Sequence, residues 1–127
     1  MPAMNLSPIR IVLVSPIYGG NIGAVCRAMK NMGLRDLAIA TPRADTDWTE
    51  ARKIATHADD VLAARRTFPR LEDAIADCGL VWGTTARPGL YREHARTPRE
   101  WASRILTAAA DTPVALVFGP EDRGLSN

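Results

Sequence analysis

Three loops of this sequence carry residues whose types and spacing suit ligand binding. The first, residues 15–23, is rich in glycine and leads into a predicted helix. Free N–H groups at a helix N-terminus bind phosphate and other anions. A tight turn followed by a helix cap explains the same glycines, and the spacing alone leaves both interpretations open.

Two charged residues accompany these loops. Arg27 lies on the predicted helix in a stripe with Gly23 and Asn31, at spacings of four residues. Glu121 lies in a second loop, residues 119–127, just after a predicted buried strand. A carboxylate there can orient a ligand or pair with Arg27. The alternative is a charged surface loop and a solvated arginine.

The third loop, residues 83–89, contains glycine, threonine and alanine after another apolar run. Small residues let a ligand approach the backbone closely. An ordinary turn would explain this loop by itself. The case for a site depends on all three loops lying at one edge of one sheet.

The elements that position these loops alternate between strand and helix. Short apolar runs predict strands at residues 9–14, 37–40, 80–84 and 114–118, with a further short strand at 61–63. Helical spacing predicts helices at residues 21–32, 49–55, 71–77 and 98–110. Asn21 is the expected N-cap of the first helix, and Gly33 is its expected C-terminal glycine.

The strands are continuous apolar runs, as in strands that are buried on both faces. This pattern predicts an α/β fold, a mostly parallel sheet with helices on both faces. Ligands of such sheets bind beyond the carboxyl ends of the strands, where the three loops lie.

Several other kinds of site are excluded or disfavoured. The glycines at 19, 20 and 23 do not match the dinucleotide fingerprint, and no acid follows the second strand to hold a ribose. His57 and His94 are isolated, so we expect no metal. Cys26 and Cys78 are interpreted as buried thiols. The tryptophans are scattered, which favours core or interface positions over a base-stacking platform: Trp48, Trp82 and Trp101.

Composition is that of one globular domain. The chain has 127 residues, of which 46% are hydrophobic and 24% charged, with a formal net charge of +2. The longest uncharged stretch, residues 11–26, contains a proline and three glycines, so it predicts no membrane span. No signal peptide is evident, and we expect a cytoplasmic protein. Some arginines are candidates for phosphate contacts: Arg10, Arg35, Arg43, Arg87, Arg92 and Arg123.

Two motifs resemble those of a known family. The segments IVLV (residues 11–14) and GNIGAVCRAMKNMGL (20–34) resemble the first motif of the SPOUT (trefoil-knot, or alpha/beta knot) RNA 2′-O-ribose methyltransferases. ALVFGPEDRGLSN (115–127) resembles their second motif. ADDVL (58–62) and GTTAR (83–87) are similar to the TrmH/TrmJ-like branch, which methylates a ribose in tRNA, for TrmJ a pyrimidine ribose of the anticodon loop.

The resemblance implies a cofactor, partners and residue roles. The cofactor would be S-adenosylmethionine, the substrate tRNA and the assembly a homodimer. By motif position, Asn21 and Arg27 would lie near the target ribose, and Glu121 would hold the first-motif side chains. Some residues would contact the cofactor largely through their backbone: Thr84, Thr85, Ala86 and Gly119.

The chemistry of Arg27 follows from its guanidinium, which stays protonated and is a poor base. A ribose 2′-hydroxyl must lose or share its proton before it attacks a methyl group. We expect Arg27 to stabilise the developing alkoxide electrostatically, with an RNA phosphate as a possible proton acceptor.

The resemblance also implies a C-terminal segment that these 127 residues lack. Family members continue with a further strand, a third motif and a closing helix that form the knot. We therefore expect residues 1–127 to be a single SPOUT domain that is C-terminally incomplete. A catalytically inactive module that binds RNA or a partner is the alternative.

Overall fold

A computed structural model of the protein describes residues 8–83 and 98–121. The described elements follow in this order: β1 (Ile9–Val14), α1 (Gly19–Met32), β2 (Asp36–Ala40), α2 (Trp48–Ala55), a 3₁₀ turn (Thr56–Ala58), α3 (Asp59–Ala63), β3 (Arg66–Phe68), α4 (Leu71–Ile75), β4 (Leu80–Gly83), α5 (Pro98–Ala109) and β5 (Val114–Phe118). Strands and helices thus alternate, as the apolar pattern predicts.

The strands form one parallel sheet in the order β3-β2-β1-β5-β4. The chain proceeds from β1 outward to β3 on one side, and returns on the other side through β4 and β5. The run β3-β2-β1 and the run β5-β4 therefore meet where β1 pairs with β5. Leu13 pairs with Phe118 there, so the loops after these two strands leave the sheet side by side. Ligands of parallel sheets bind beyond the carboxyl ends of the strands, which is where these two loops lie.

Each face of the sheet is covered by an apolar layer, which confirms the predicted architecture. Ile9, Ile11 and Leu13 of β1 point to the layer that holds α1, α2, α3 and α5. Val12 points to the opposite layer and packs there with Ala74 of α4. Because alternate residues of β1 enter both layers, the strand must be apolar throughout.

One predicted strand is wrong. Residues 61–63 were predicted to be a strand, but they end helix α3, in which Val61 and Leu62 are buried. The actual strand is β3, whose Arg66 and Thr67 are exposed. An edge strand of three residues with exposed polar side chains has too little apolar pattern to be detected.

The first helix begins earlier than predicted. Its N-cap is Tyr18, which makes no side-chain cap hydrogen bond, so Asn21 lies inside the first turn and is not the cap. The predicted end is confirmed, because Gly33 adopts a left-handed conformation with φ of 80° and donates to the Lys30 and Met29 carbonyls. In the described part of the chain, every helix is too short or too polar to cross a membrane.

Candidate active site at the ends of strands β1 and β5

A cluster of hydrogen bonds around Glu121 joins the loop after β5 to the start of α1. The Ile17 N–H donates to Glu121 Oε1 at 2.8 Å, and the Tyr18 N–H donates to Oε2 at 2.9 Å. The Asn21 side-chain amide donates to the same Oε2 at 3.1 Å. We call these four residues the Glu121 cluster. It closes the gap between two loops that are about a hundred positions apart in the chain.

The Glu121 carboxylate is charged at neutral pH. Burial raises its pKa, but the hydrogen bonds from Ile17, Tyr18 and Asn21 outweigh burial, and the net pKa lies below the ordinary value of a glutamate. A negative charge beside the first turn of α1 is also stabilised by the positive end of the helix dipole. The protein's own carboxylate therefore takes the place of the bound anion in one of the two interpretations of this loop.

The glycines of α1 serve helix packing. A Cβ on Gly19 would lie 1.9 Å from the Asp47 carbonyl oxygen, and a Cβ on Gly23 would lie 2.5 Å from that of Ala51. Both positions are buried. The bare glycine surface lets α2 lie against α1, which explains these glycines without a phosphate cradle.

Arg27 does not join the Glu121 cluster. It is exposed on α1, six residues after Asn21. Helix geometry places the two residues about 120° apart around the axis and about 9 Å apart along it. Glu121 pairs with Asn21 and two backbone amides, so the predicted ion pair between Glu121 and Arg27 is absent from the contacts of the described residues.

An apolar groove of about 360 Å³ runs beside the cluster, between α1 and strands β1 and β5. Its walls are almost entirely aliphatic and aromatic, including Leu116 and Met29. Asn21, Gly119 and Glu121 form its polar end at the edge of the sheet. The groove thus offers one charged and polar end and a long apolar wall.

The four residues expected at the cofactor divide into two groups. Gly119 directly follows β5 and lies at the groove next to Glu121. Thr84, Thr85 and Ala86 lie outside the described residues. The strand that precedes them ends at Gly83, which pairs with Val117 of β5. The loops that carry both groups therefore leave neighbouring strands at the same edge.

Sequence analysis missed the part of the site that is made of backbone. The N–H groups of Ile17 and Tyr18 supply two of the three donors to Glu121. Every residue except proline has such a donor, so the residue types give no signal. Ser15 and Thr41, which follow β1 and β2, were also not singled out. Both have positive φ, and the Ser15 hydroxyl donates to the Thr41 carbonyl at 2.8 Å.

The other titratable residues considered above are buried or paired with other side chains of the protein. Burial raises the pKa of the Cys26 thiol to about 11 and also raises that of Cys78, so both remain protonated at neutral pH. Asp60 accepts a hydrogen bond from Lys30 at 2.7 Å, which lowers its pKa. Arg10, a candidate for phosphate contact, is 5% exposed and occupied by acidic partners, so that prediction is wrong. His94 lies outside the described residues, which contain no group of potential metal ligands.

Fold and site together define an α/β protein with a parallel sheet and a polar site at the carboxyl ends of β1 and β5. The sequence model of the SpoU rRNA Methylase family matches residues 8–127. The chain belongs to this family, which confirms the resemblance drawn from its two motifs.

Among curated proteins, the tRNA (cytidine/uridine-2′-O-)-methyltransferase TrmJ of Citrobacter koseri is 43% identical over 122 residues. The alignment covers 96% of this chain and 50% of that protein. The TrmJ of Salmonella typhimurium gives the same values. The chain thus spans about half the length of the curated relatives it matches.

Solved structures show the same fold. A probable methylase family protein of Haemophilus influenzae superposes with a TM-score of 0.86 at 36% identity, covering 97% of this chain and 51% of that one. TrmJ of Z. mobilis ZM4 superposes with a TM-score of 0.83 at 39% identity, covering 93% of this chain and 52% of that one. The methyltransferase AviRb of Streptomyces viridochromogenes, in complex with AdoMet, has a TM-score of 0.55 at 18% identity, covering 100% and 49%. The last likeness is one of fold alone.

Proposed function

We propose that this chain belongs to an enzyme that transfers a methyl group from S-adenosylmethionine to a ribose 2′-hydroxyl of tRNA. The target is a cytidine or uridine of the anticodon loop. The observation that carries the proposal is the 43% identity to TrmJ along 96% of this chain. The Glu121 cluster, at the carboxyl ends of the neighbouring strands β1 and β5, supports it.

S-adenosylmethionine fits the edge formed by β4 and β5. Gly119 has no side chain to block an approaching ligand, and the loop with Thr84, Thr85 and Ala86 starts from the neighbouring strand. The cofactor supplies a methyl group that its sulfonium already activates. We propose that these four residues hold it through backbone contacts.

Asn21 and Glu121 would arrange the loop around the substrate. The carboxylate fixes the backbone of Ile17 and Tyr18 and the side chain of Asn21 through three hydrogen-bond donors. Fixed donors and loops reduce the cost of aligning the attacking oxygen with the methyl group.

Arg27 would stabilise the developing alkoxide of the ribose. Its guanidinium carries a permanent charge and cannot act as a base at neutral pH. Because it lies on a different side of α1 from Asn21, a second copy of the chain is a natural source of one of the two groups. We therefore propose a homodimer, and the apolar groove next to the 63% exposed Met32 is compatible with such an interface.

We also propose a domain organisation, a cellular location and a set of ligands for this enzyme. Residues 1–127 would belong to one methyltransferase domain, and the enzyme would act in the cytoplasm, where tRNA is modified. Its ligands would be tRNA and S-adenosylmethionine, with no metal required.

The test is transfer of radiolabelled methyl groups from S-adenosylmethionine to unmodified tRNA transcripts. We expect label in tRNA. We also expect the existing phosphodiester bond after one pyrimidine to become resistant to alkali, because 2′-O-methylation blocks the hydroxyl that attacks the phosphate. Arg27→Lys should lower the rate at least about tenfold, since lysine lacks the fixed guanidinium fork.

The matched control is Arg70→Ala. Arg70 is an exposed arginine whose charge is balanced by Asp73 and Glu72, so its loss should leave transfer unchanged. Absence of label with the unsubstituted protein would overturn the proposed activity and favour a module that only binds RNA. Normal turnover of Arg27→Lys would overturn the role of Arg27.

A further inference from the structure

A second cleft lies away from the Glu121 cluster, between helices α2 and α3. Its volume is about 270 Å³. It is lined by Trp48, Arg52, Asp59, Leu62, Ala63 and Arg65. Two guanidinium groups face one carboxylate, so the lining side chains carry a net positive charge.

Arg65 is held in a fixed orientation within this cleft. Its guanidinium lies over the Trp48 ring, 4.0 Å from the ring centroid. One of its N–H groups also donates to the Leu62 carbonyl at 2.9 Å. A guanidinium that is already ordered loses little further entropy when it binds a ligand. Trp48 thus supports the arginine, in keeping with its half-buried position.

Arg52 completes the positive side of the cleft. It is exposed on α2, one turn after Trp48, and donates to the Thr49 hydroxyl at 3.3 Å. Within residues 8–83 and 98–121, neither Arg52 nor Arg65 has a carboxylate within ion-pair distance. Their guanidinium groups therefore keep donors available to an anion.

The cleft adjoins the candidate active site through the contact of α1 with α2. Trp48 directly follows Asp47, whose carbonyl oxygen lies against Gly19 in the first turn of α1. Asn21 belongs to that same turn. Helix α2 thus connects the cleft to the helical turn that carries Asn21.

We propose that the α2–α3 cleft binds the phosphodiester backbone of the RNA substrate, with Arg52 and Arg65 as the phosphate ligands. The inference depends on the proposed function for the identity of the RNA. Planar guanidinium groups match phosphate geometry, and backbone contacts of this kind position an RNA independently of its sequence.

The test is the salt dependence of binding to a fluorescein-labelled, unmodified tRNA transcript, followed by anisotropy. Each lost phosphate contact should reduce the slope of log K against log salt by about 0.7–0.9. We expect this reduction, and a severalfold weaker affinity, for Arg52→Ala and for Arg65→Gln. Arg70→Ala, which removes an arginine already paired with acids, should leave the slope unchanged.

Arg52→Ala also guards against misfolding, because alanine is favoured at an exposed helix position. The proposal is overturned if both variants have the slope of Arg70→Ala.

Methyl transfer measured on the same samples separates the two proposals. Altered salt slopes without any methyl transfer would support the α2–α3 cleft as an RNA-binding site and contradict the proposed activity. Normal methyl transfer with unaltered salt slopes would contradict RNA binding by the cleft and leave the proposed activity standing.

Discussion

At the scale of single residues, the carboxylate of Glu121 fixes the conformation of the loop that precedes α1. It accepts hydrogen bonds from two backbone amides and one side chain, all from the segment that opens α1. The loop after β1 has no regular secondary structure to fix it before α1 begins. The hydrogen bonds to Glu121 therefore hold this loop in place, as backbone hydrogen bonds do within strands and helices.

This role makes stability depend on pH in a defined direction. The folded pKa of Glu121 lies below its ordinary value, so its contribution is present above the unfolded pKa of about 4.3 and is lost as pH falls through the folded pKa. We expect Glu121→Gln to reduce the free energy of unfolding by about 1 kcal/mol at neutral pH. The difference from the unsubstituted protein should shrink as pH falls below the unfolded pKa and vanish once pH lies below the folded pKa.

Thermal unfolding followed by circular dichroism over a series of pH values checks this. Glu72→Gln is the control, since the Glu72 carboxylate has only a long contact of 3.9 Å with Arg70. A difference between Glu121→Gln and the unsubstituted protein that persists at acidic pH would show that the carboxylate charge is not the cause.

At the scale of elements, the pairing of α1 with α2 depends on the absence of side chains at two positions. Gly19 and Gly23 are one helical turn apart and face the backbone of α2. Gly20, between them, faces side chains of α2 instead of its backbone, with Glu50 3.7 Å and Ile54 3.8 Å from an ideal Cβ. The three glycines look alike in the sequence but have different neighbours in the folded protein.

Substitution by alanine should change the free energy of unfolding in opposite directions at Gly23 and Gly20. Gly23→Ala places a methyl group against the Ala51 carbonyl, and we expect a loss of about 1–3 kcal/mol in the free energy of unfolding as α2 is displaced. Gly20→Ala meets no backbone and should stabilise the protein by about 0.5–1 kcal/mol. Urea unfolding measures both; equal effects of the two variants would argue against the helix contact.

At the scale of the whole molecule, a buried arginine ties the two halves of the sheet's N-terminal edge together. Arg10 of β1 donates to Asp36 at 2.9 Å and to both oxygens of Asp77 at 2.7 and 3.0 Å. It also donates to the Ala74 carbonyl at 2.7 Å. These partners come from β2, from α4 and from the segment after α4, so one side chain connects three parts of the chain.

Removing this arginine should destabilise the whole fold. Arg10→Met leaves the Asp77 carboxylate and the buried Ala74 carbonyl without the arginine donor, and leaves Asp36 with Arg66 alone. We expect a loss of about 2–3 kcal/mol in urea unfolding at neutral pH. The hydrogen bond from Arg10 lowers the pKa of Asp77 to about 2. The contribution of Asp77 is therefore present above about pH 4 and is lost as pH falls toward 2.

The matched control is Arg66→Ala. Arg66 shares Asp36 with Arg10 but is exposed, and an exposed ion pair contributes at most about 1 kcal/mol. If Arg66→Ala costs as much as Arg10→Met, burial of the guanidinium is not what makes the network stabilising.

The sequence by itself determined the elements and their class. Four of the five described strands and the end of α1 at Gly33 follow from apolar runs and one glycine, because these signals depend on neighbours only a few positions away. Alternation of strand and helix then predicted a parallel sheet, and with it the edge at which Asn21, Gly119 and Glu121 lie together.

Only the tertiary structure decided which residues meet. Glu121 binds the backbone of Ile17 across 104 positions instead of pairing with Arg27, because strand order places β5 beside β1. The same order buries Arg10 between two acids and turns Gly23 toward α2. Local patterns carry no information on such partners, since contacts between distant segments depend on the order and register of strands.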